Sequence, residues 1–79
     1  MMRVDVSSKK TVTVETNADA VRAVMAHWAR RGSRAFYSDR RAGIVSVDGV
    51  DVAHVSYNGR MWAGVERMRL GAAEIQVAS

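Results

Sequence analysis

Alternation of apolar and polar residues is clearest between positions 44 and 65, where it predicts three β-strands. The strands are separated by Asp48-Gly49 and Asn58-Gly59, and β-branched or aromatic residues flank both pairs. Residue pairs of this kind adopt the positive φ angles that two-residue hairpin turns require. We therefore expect an antiparallel meander around which the rest of the chain is organised.

Two-residue turns also fix which residues lie opposite each other, and hence which side chains share a face of the sheet. The expected pairs are Val47 with Val50, Val45 with Val52, Ile44 with Ala53, Tyr57 with Arg60, Val55 with Trp62 and Val52 with Val65. One face is then almost wholly apolar and is expected to carry the helix: Val45, Val47, Val50, Val52, Met61, Ala63 and Val65. The other face is polar around an apolar and aromatic centre: Ser46, Asp51, Ala53, Val55, Tyr57, Arg60, Trp62 and Glu66.

The carboxy-terminal stretch loses this alternation. Met68 and Leu70 fall on the polar face unless a bulge resets the phase. Gly71 interrupts the strand pattern, and Ile75 with Val77 predicts a last short strand or an ordered tail.

Strand-like alternation also marks the amino-terminal stretch, at Val4, Val6, Val12 and Val14. The polar residues at positions 7–10 fit either a loose turn or the middle of one long strand, and periodicity does not distinguish these alternatives. We favour a single strand that ends near Glu15.

A helix is predicted next. Asn17 is a favourable N-cap, and Gly32 suits the left-handed residue that follows a helix. Between them apolar residues recur at i, i+3, i+4 and i+7 and predict a buried stripe: Val21, Val24, Met25 and Trp28. Residues 34–38 contain Phe36 and Tyr37 and predict a short strand, which a loop over residues 39–43 joins to the meander.

These elements predict an α+β fold in which one helix packs on an antiparallel sheet of about five strands. Their order is β-α-β-β-β-β, with an additional short terminal strand as an alternative. The 79 residues contain no repeat, no proline and no linker, so we expect one domain over residues 1–79. A chain of this size has a thin core, and with no cysteine to form disulfides, a homodimer is an alternative to a monomer.

Composition places the chain among globular proteins, with 48% hydrophobic and 25% charged residues. No apolar run reaches the roughly 20 residues that cross a bilayer, and the first residues lack the apolar core of a secretion signal. We therefore expect a soluble cytoplasmic protein with no membrane partner.

Positive charge is concentrated at one part of the chain. The formal net charge is +4, yet positions 22–41 hold six arginines and a single carboxylate, Asp39. Five of these arginines define a basic pole: Arg30, Arg31, Arg34, Arg40 and Arg41. Guanidinium groups bind phosphates and clustered carboxylates through paired hydrogen bonds. The alternative is that they complement the helix dipole and keep the protein soluble.

A second candidate surface lies on the polar face of the meander. We call Val55, Tyr57, Arg60 and Trp62 the sheet-face patch. Tryptophan, tyrosine and arginine dominate the hot spots of protein interfaces, so this patch predicts a partner-binding surface anchored by Trp62. The alternative is that a terminal segment covers the patch and makes it a second small core.

No residue pattern predicts catalysis or a bound cofactor. His27 and His54 lack the spacing of a metal site. Asp51 is expected opposite Glu66, where a cation or an arginine between them would offset the two like charges, and a domain of this size has no room for the cleft that a catalytic carboxylate pair needs. Nucleophile motifs, glycine-rich phosphate loops and nucleic-acid module fingerprints are missing from the sequence. We therefore expect a protein that is not an enzyme and needs no cofactor or metal.

In its size, its single-helix α+β build, its basic pole and its lack of catalytic motifs, the chain is similar to small phage-borne inhibitors of the anti-CRISPR type. The resemblance covers the whole chain in general character and transfers no functional residue. It implies a protein that occludes a bacterial nucleoprotein or nuclease in the host cytoplasm by binding to it.

The resulting hypothesis is a protein-binding inhibitor that engages a protein or nucleoprotein through the sheet-face patch, the basic pole or both. One alternative is direct binding of nucleic acid by the basic pole, with bases stacked on Phe36 and Tyr37. Another is a structural subunit that associates with itself through the sheet face.

Overall fold

The computed structural model describes residues 1–66 and 71–77. Its elements are β1 Met2–Ser7, β2 Lys10–Val14, α1 Asn17–Trp28, α2 Gly32–Ser38, β3 Ile44–Val47, β4 Val50–Val55, β5 Met61–Ala63 and β6 Glu74–Ile75. The strands form one antiparallel sheet in the order β2-β1-β3-β4-β5-β6. Helix α1 packs on one face of this sheet, mainly against β1 and β2. The α+β class is confirmed, with one helix more and one strand more than the order predicted.

The hydrophobic core lies between α1, α2 and the inner face of the sheet. Its buried members come from both helices and from β1 to β5: Val4, Val6, Val14, Ala20, Val24, Trp28, Phe36, Val45, Val55 and Met61. In the part of the chain that the structure describes, no helix is long and apolar enough to cross a membrane.

The amino-terminal segment is a hairpin, so the prediction of a single strand is wrong. Strand β1 pairs with β2 in a register that places Met2 opposite Val14. The polar residues at positions 7–10 supply the turn, and the amide and hydroxyl of Ser8 donate to Asp39 Oδ2 over 3.0 and 3.3 Å. The turn and a bulge at Val6 together place Val4 opposite Val12, so the valines share one face as they would in a single strand, and periodicity alone could not separate the two arrangements.

A bulge in β1 provides the backbone acceptor for a hydrogen bond between the β1–β2 hairpin and helix α1. The register shifts between Asp5 and Ser7, which leaves Val6 without a partner residue in β2. The indole Nε1 of Trp28 donates to the Val6 carbonyl oxygen. The buried tryptophan therefore satisfies a backbone acceptor that the strand pairing leaves open.

Helix α1 begins one residue earlier than predicted, because Thr16 and not Asn17 is the N-cap. The Thr16 hydroxyl accepts a hydrogen bond from the Asp19 amide over 3.1 Å. The buried stripe runs through Ala20, Val24 and Trp28, with Ala18 at its start. Met25 was predicted to be buried, but its side chain is 39% exposed. The buried stripe is therefore rotated relative to the predicted one, with Ala20 buried and Met25 exposed.

Helix α1 ends at Trp28, earlier than the predicted end at Gly32, and Gly32 instead begins α2 with φ +82°. The prediction of a strand over residues 34–38 is therefore wrong. Within α2 the side chain of Phe36 is completely buried, and its ring packs edge-on against Trp28 with 5.5 Å between ring centroids. Packing of this one ring into the core outweighs the weak strand propensity of the aromatic residues.

The meander forms as predicted at its first turn and then departs from the predicted register. Val47 lies opposite Val50, but β4 carries a bulge at Val52, so Val45 faces Ala53. One inserted residue exchanges the two faces of the strand beyond it. Ala53 and Val55 therefore point toward the helices, whereas the sequence placed them on the polar face.

The second turn is longer than predicted and restores the phase. Five residues, 56–60, connect the strands, and Val55 lies opposite Met61 where a two-residue turn would have placed it opposite Trp62. Met61 is consequently buried and Trp62 lies on the outer face, both as expected. The bulge and the longer turn each shift the register by one residue, and their effects on β5 cancel.

The apolar inner face is only partly covered, which the sequence did not predict. Helix α1 does not reach the tip of the β3–β4 hairpin, so Val50 is 62% exposed. The other large apolar residues with substantial exposure in this region are Val47, Val52 and Val65. The predicted last strand is confirmed as β6, and the expectation for Met68 and Leu70 lies outside the described residues.

Candidate binding surfaces

The four residues of the sheet-face patch do not form one exposed surface. Val55 is completely buried, because the bulge in β4 turns it into the core opposite Met61. The prediction that Val55 lies on the exposed face is therefore wrong. The remaining three residues, Tyr57, Arg60 and Trp62, belong to two different parts of the molecule.

Trp62 lies on the outer face of the sheet, opposite His54. Its indole Nε1 donates to the hydroxyl of Ser56 over 3.3 Å, and the side chain is half-buried. His54, almost fully buried, contacts the carbonyl oxygen of Gly64 through Nδ1 at 2.8 Å. Ile44, which pairs with His54, is also buried. Trp62, His54 and Ile44 are therefore shielded from solvent to different degrees on the outer face of the sheet.

Arg60 lies at the β5–β6 end of the sheet. Its Nε is 3.8 Å from Glu74 Oε2, and more than half of the side chain is exposed. An exposed pair at this distance contributes little to stability, so Arg60 remains available for contact.

Tyr57 faces the helices instead. Its ring packs edge-on against Phe36 with centroids 5.8 Å apart, and its amide donates to the hydroxyl of Tyr37 over 3.4 Å. Met25 and Tyr37 are 39% and 38% exposed, and a groove of about 250 Å³ lies between Met25, Ala29 and Tyr57. We call Met25, Tyr37 and Tyr57 the tyrosine patch. The sequence missed this surface because Met25 was assigned to the buried stripe of α1.

The basic pole adjoins the tyrosine patch. Ala29, which lines the groove, is followed directly by Arg30, and Arg34 precedes Tyr37 by one turn of α2, so the two side chains share a helix face. Arg30, Arg34 and Arg40 are exposed, and none of them forms an ion pair within residues 1–66 and 71–77. The guanidinium of Arg31 donates to the carbonyl oxygen of His27 and so closes the end of α1.

Arg41 differs from the other arginines of the predicted pole because carboxylates neutralise it. Its Nε donates to Asp5 Oδ2 over 2.8 Å, and its two terminal nitrogens donate to Asp51 over 2.9 and 3.1 Å. These hydrogen bonds, with Asp51 first, raise the pKa of Arg41, and the same contact lowers the pKa of Asp51. Arg41 thus bridges β1 and β4 across β3. An arginine does accompany Asp51, but the second carboxylate that it holds is Asp5 and not the predicted Glu66.

The described residues hold no cluster of three or more histidine, cysteine, aspartate or glutamate side chains that suits a metal ion. His27 lies beside a groove at β2, where burial, followed by the charges of Arg31 and Lys10, lowers its pKa. Burial tends to raise the pKa of Asp39, but hydrogen bonds from Ser8 and Arg41 lower it overall. The perturbed groups are therefore explained by structural contacts.

Comparison of the chain with protein-family models, with curated proteins and with solved structures gave no match. The geometry itself defines a small α+β protein with a basic pole, an adjoining tyrosine patch and a sheet whose outer face carries a bridging arginine. Function is therefore inferred from these surfaces.

Proposed function

We propose that this protein is a non-enzymatic binding protein that occludes an acidic surface of a protein or nucleoprotein partner. The contact is made by the basic pole, through Arg30, Arg34 and Arg40, together with the tyrosine patch. The observation that carries this proposal is that two exposed arginines, Arg30 and Arg34, adjoin exposed apolar and aromatic side chains. Arg30 follows Ala29 of the groove beside Met25, and Arg34 lies one turn before Tyr37 in α2. Arginine and tyrosine supply much of the binding energy in protein interfaces.

Charge and apolar area have separate roles in this contact. Guanidinium groups form paired hydrogen bonds with carboxylates or phosphates and accelerate encounter with an acidic surface. The tyrosine patch provides area that leaves water on binding, and the groove beside Met25 accepts a side chain of the partner. A partner with acidic residues around an apolar anchor fits this arrangement.

A protein surface fits better than bare nucleic acid because the expected stacking platform is incomplete. Direct binding of single strands uses exposed aromatic rings interleaved with basic residues. Phe36 is completely buried, which leaves Tyr37 as the exposed ring of that segment. The similarity to anti-CRISPR-type inhibitors favours a nucleoprotein partner, since such a partner offers both acidic protein and phosphate to the same pole.

The sheet-face patch enters the proposal in reduced form. Trp62 and Arg60 remain a predicted second contact, because Arg60 is exposed and Trp62 is half-buried. Val55 is left out, since a residue with no exposed surface contacts a partner only after local unfolding.

The experiment that tests the proposal is an affinity capture from bacterial lysate with quantitative mass spectrometry. The pole variant replaces Arg30, Arg34 and Arg40 by glutamine, and the control variant replaces Arg3, Arg22 and Lys10 by glutamine, so both lose three charges. We expect the pole variant to lose at least about tenfold of a captured partner that the control retains. Equal losses in both variants indicate a general charge effect and refute the proposal.

A parallel measurement separates the nucleic-acid alternative. Fluorescence anisotropy with mixed-sequence DNA and RNA is recorded for the wild type and both variants at several salt concentrations. Under the proposal, affinity for these probes is weak and the pole variant does not differ from the control. Tight binding with a steep salt dependence that only the pole variant loses replaces the proposal by direct nucleic-acid recognition.

A further inference from the structure

Strand β2 forms one edge of the sheet, and within the described residues no strand lies on its outer side. Which of its backbone groups face outward follows from β1. The carbonyl oxygen of Asp5 accepts from the Gly43 amide over 2.7 Å, and that of Met1 accepts from the Asp48 amide over 3.0 Å. Odd-numbered residues of β1 therefore direct their backbone groups toward β3, and Met2 and Val4 direct theirs toward β2.

The pairing between β1 and β2 determines which backbone groups of β2 point away from the sheet. Val4 lies opposite Val12 and Met2 lies opposite Val14, so these valines use their backbone groups within the hairpin. The intervening residues, Thr11 and Thr13, direct their amide and carbonyl groups away from the sheet. Both threonines are exposed, and an exposed strand edge of this kind is a template for another strand.

We propose that a second copy of this chain pairs with the β2 edge, antiparallel and with the two-fold axis at Val12. Thr11 then lies opposite Thr13 of the second copy, and the outward backbone groups of these residues form the new hydrogen bonds. Val12 lies opposite its own counterpart in a pair that is not hydrogen-bonded. The two sheets join into one continuous sheet.

The outward-facing amide and carbonyl groups of β2 permit several pairing registers, and charge favours the one centred on Val12. With the axis at Val12, Lys9 faces Glu15 of the second copy, and symmetry repeats the pair. A shift of the axis to Thr11 places Lys9 opposite Thr13, and a shift to Thr13 places Glu15 opposite Thr11. Only the register centred on Val12 pairs opposite charges on both sides of the strand, and such cross-strand pairs are favourable.

An apolar groove beside β2 fits the same occupant. It has a volume of about 330 Å³ and is lined by Val6, Lys10, Val12, Ala23, Ala26 and His27. Val12 of the second copy projects on the same side of the joined sheet as Val12, and therefore enters this groove. Ala23 and Ala26 are small, so the α1 helices of the two copies can approach each other above the paired strands. This contact uses neither the basic pole nor the tyrosine patch and stands independently of the proposed function.

Cysteine cross-linking tests the register directly, because the chain contains no native cysteine. The variants Thr11→Cys and Thr13→Cys are prepared separately, mixed and oxidised. Opposed residues in a hydrogen-bonded pair have Cα atoms about 5.5 Å apart, within disulfide range. Two Thr11→Cys sites are displaced by two residues, about 8 to 9 Å apart, and exceed that range.

We expect the mixture to form the Thr11→Cys/Thr13→Cys heterodimer at least about tenfold faster than either variant forms a homodimer. Val12→Cys alone is expected to form a covalent homodimer, since its pair brings Cα atoms to about 4.5 Å. Equal cross-linking in all mixtures, or none, overturns the register.

Sedimentation equilibrium of the unmodified chain tests whether the dimer forms without a cross-link. One strand edge buries less than a standard interface of about 1,600 Å², so the dimer is expected to be weak and concentrations up to about 1 mM are needed. Thr13→Pro removes an outward amide without touching the hairpin bonds, and Lys9→Glu opposes like charges. We expect both to weaken association at least about tenfold, and Lys9→Glu/Glu15→Lys to restore it. Circular dichroism establishes whether each variant is folded. If Thr13→Pro is unfolded, the comparison of Lys9→Glu with Lys9→Glu/Glu15→Lys tests the proposal by itself. A chain that stays monomeric at the highest concentration, or a dimer indifferent to the charge reversals, overturns the proposal.

Discussion

Replacement of Gly43 by alanine is expected to be the most damaging single-methyl change in this protein. Gly43 has φ +86°, and a Cβ atom there would lie 2.4 Å from the carbonyl oxygen of Val55 and 3.3 Å from Cζ of Phe36. The residue also joins two strands, since its amide donates to Asp5 over 2.7 Å and its carbonyl accepts from the Val55 amide over 2.8 Å. Backbone cannot yield as a flexible side chain does, so the strands themselves must separate.

The cost can be worked out from these contacts. A left-handed conformation costs a residue with a Cβ atom about 1–2 kcal/mol relative to glycine. Relief of the 2.4 Å contact to an ordinary separation needs a backbone shift of about 1 Å, which weakens two hydrogen bonds worth about 1 kcal/mol each. The free energy of unfolding should therefore fall by about 3–4 kcal/mol. A domain of 79 residues is expected to have about 4–12 kcal/mol in total, so much of the native stability is lost.

Gly49 provides a matched control because its φ is +85° and a Cβ atom there would meet nothing within 4 Å. Gly49→Ala should cost only the conformational term, about 1–2 kcal/mol. Urea unfolding followed by tryptophan fluorescence gives both free energies, with the slope used to check two-state behaviour. If the two variants are destabilised equally within about 0.5 kcal/mol, the close approach of Gly43 to Val55 is not what holds these strands.

Three further substitutions test individual contacts. Trp28→Phe keeps a ring in the core but leaves the bulge carbonyl of Val6 without its donor, so urea unfolding followed by circular dichroism should show a loss of about 1–3 kcal/mol. Hydrogen bonds from Ser8 outweigh burial and lower the pKa of Asp39, so this carboxylate stabilises the fold above the unfolded pKa of about 3.9 and ceases to do so as pH falls through the native pKa. Asp39→Asn should therefore lower the urea midpoint at pH 7 and give the same midpoint as the wild type in acid. A difference between the two proteins that grows in acid contradicts this sign. Burial lowers the pKa of His27 below its usual value of about 6.5, so as pH falls the unfolded chain binds the proton before the folded protein does. Between about pH 7 and pH 5 the free energy of unfolding of the wild type should therefore fall relative to that of His27→Gln, as measured in paired urea titrations.

The parts of the fold that the sequence predicted correctly are those determined by local chemistry. Asp48 and Gly49 both adopt positive φ, at 51° and 85°, and place Val47 opposite Val50 as a two-residue turn requires. The helix over Asn17–Trp28 follows from the periodicity of its apolar residues, although its cap lies one residue earlier. In each case the information is contained within a few consecutive residues.

The bulge in β4 could not be predicted in this way, because nothing in the local sequence distinguishes Val52 as the inserted residue. It is required by a distant contact. Without the extra residue, His54 would lie opposite Gly43, and Val55 would point outward. With it, the Val55 amide reaches the Gly43 carbonyl at 2.8 Å, and the Val55 side chain enters the core. A non-local pairing thus decided the faces that alternation alone assigned wrongly.

The candidate site was altered by the same event. The bulge buried Val55 of the predicted patch, and the longer turn carried Tyr57 to the helices. Tyr37 and Met25 could not be assigned to the surface without knowing that residues 32–38 form a helix and that α1 is rotated. Residue types led to the prediction of a binding protein, whereas which of these residues share an exposed surface depends on the tertiary structure.

The arginines of the basic pole differ in what they contact, and this difference allows the proposed surface to be mutated without breaking a structural contact. Arg41 holds Asp5 and Asp51 across β3, and its removal would leave two partly exposed carboxylates without their counter-charge. Arg30, Arg34 and Arg40 hold no carboxylate in the described structure, so their replacement removes positive charge without removing an ion pair. A sequence count treats all these guanidinium groups alike. The geometry assigns Arg41 to the sheet and Arg31 to the end of α1. The remaining three arginines of the pole are exposed and are the ones that the proposed function uses.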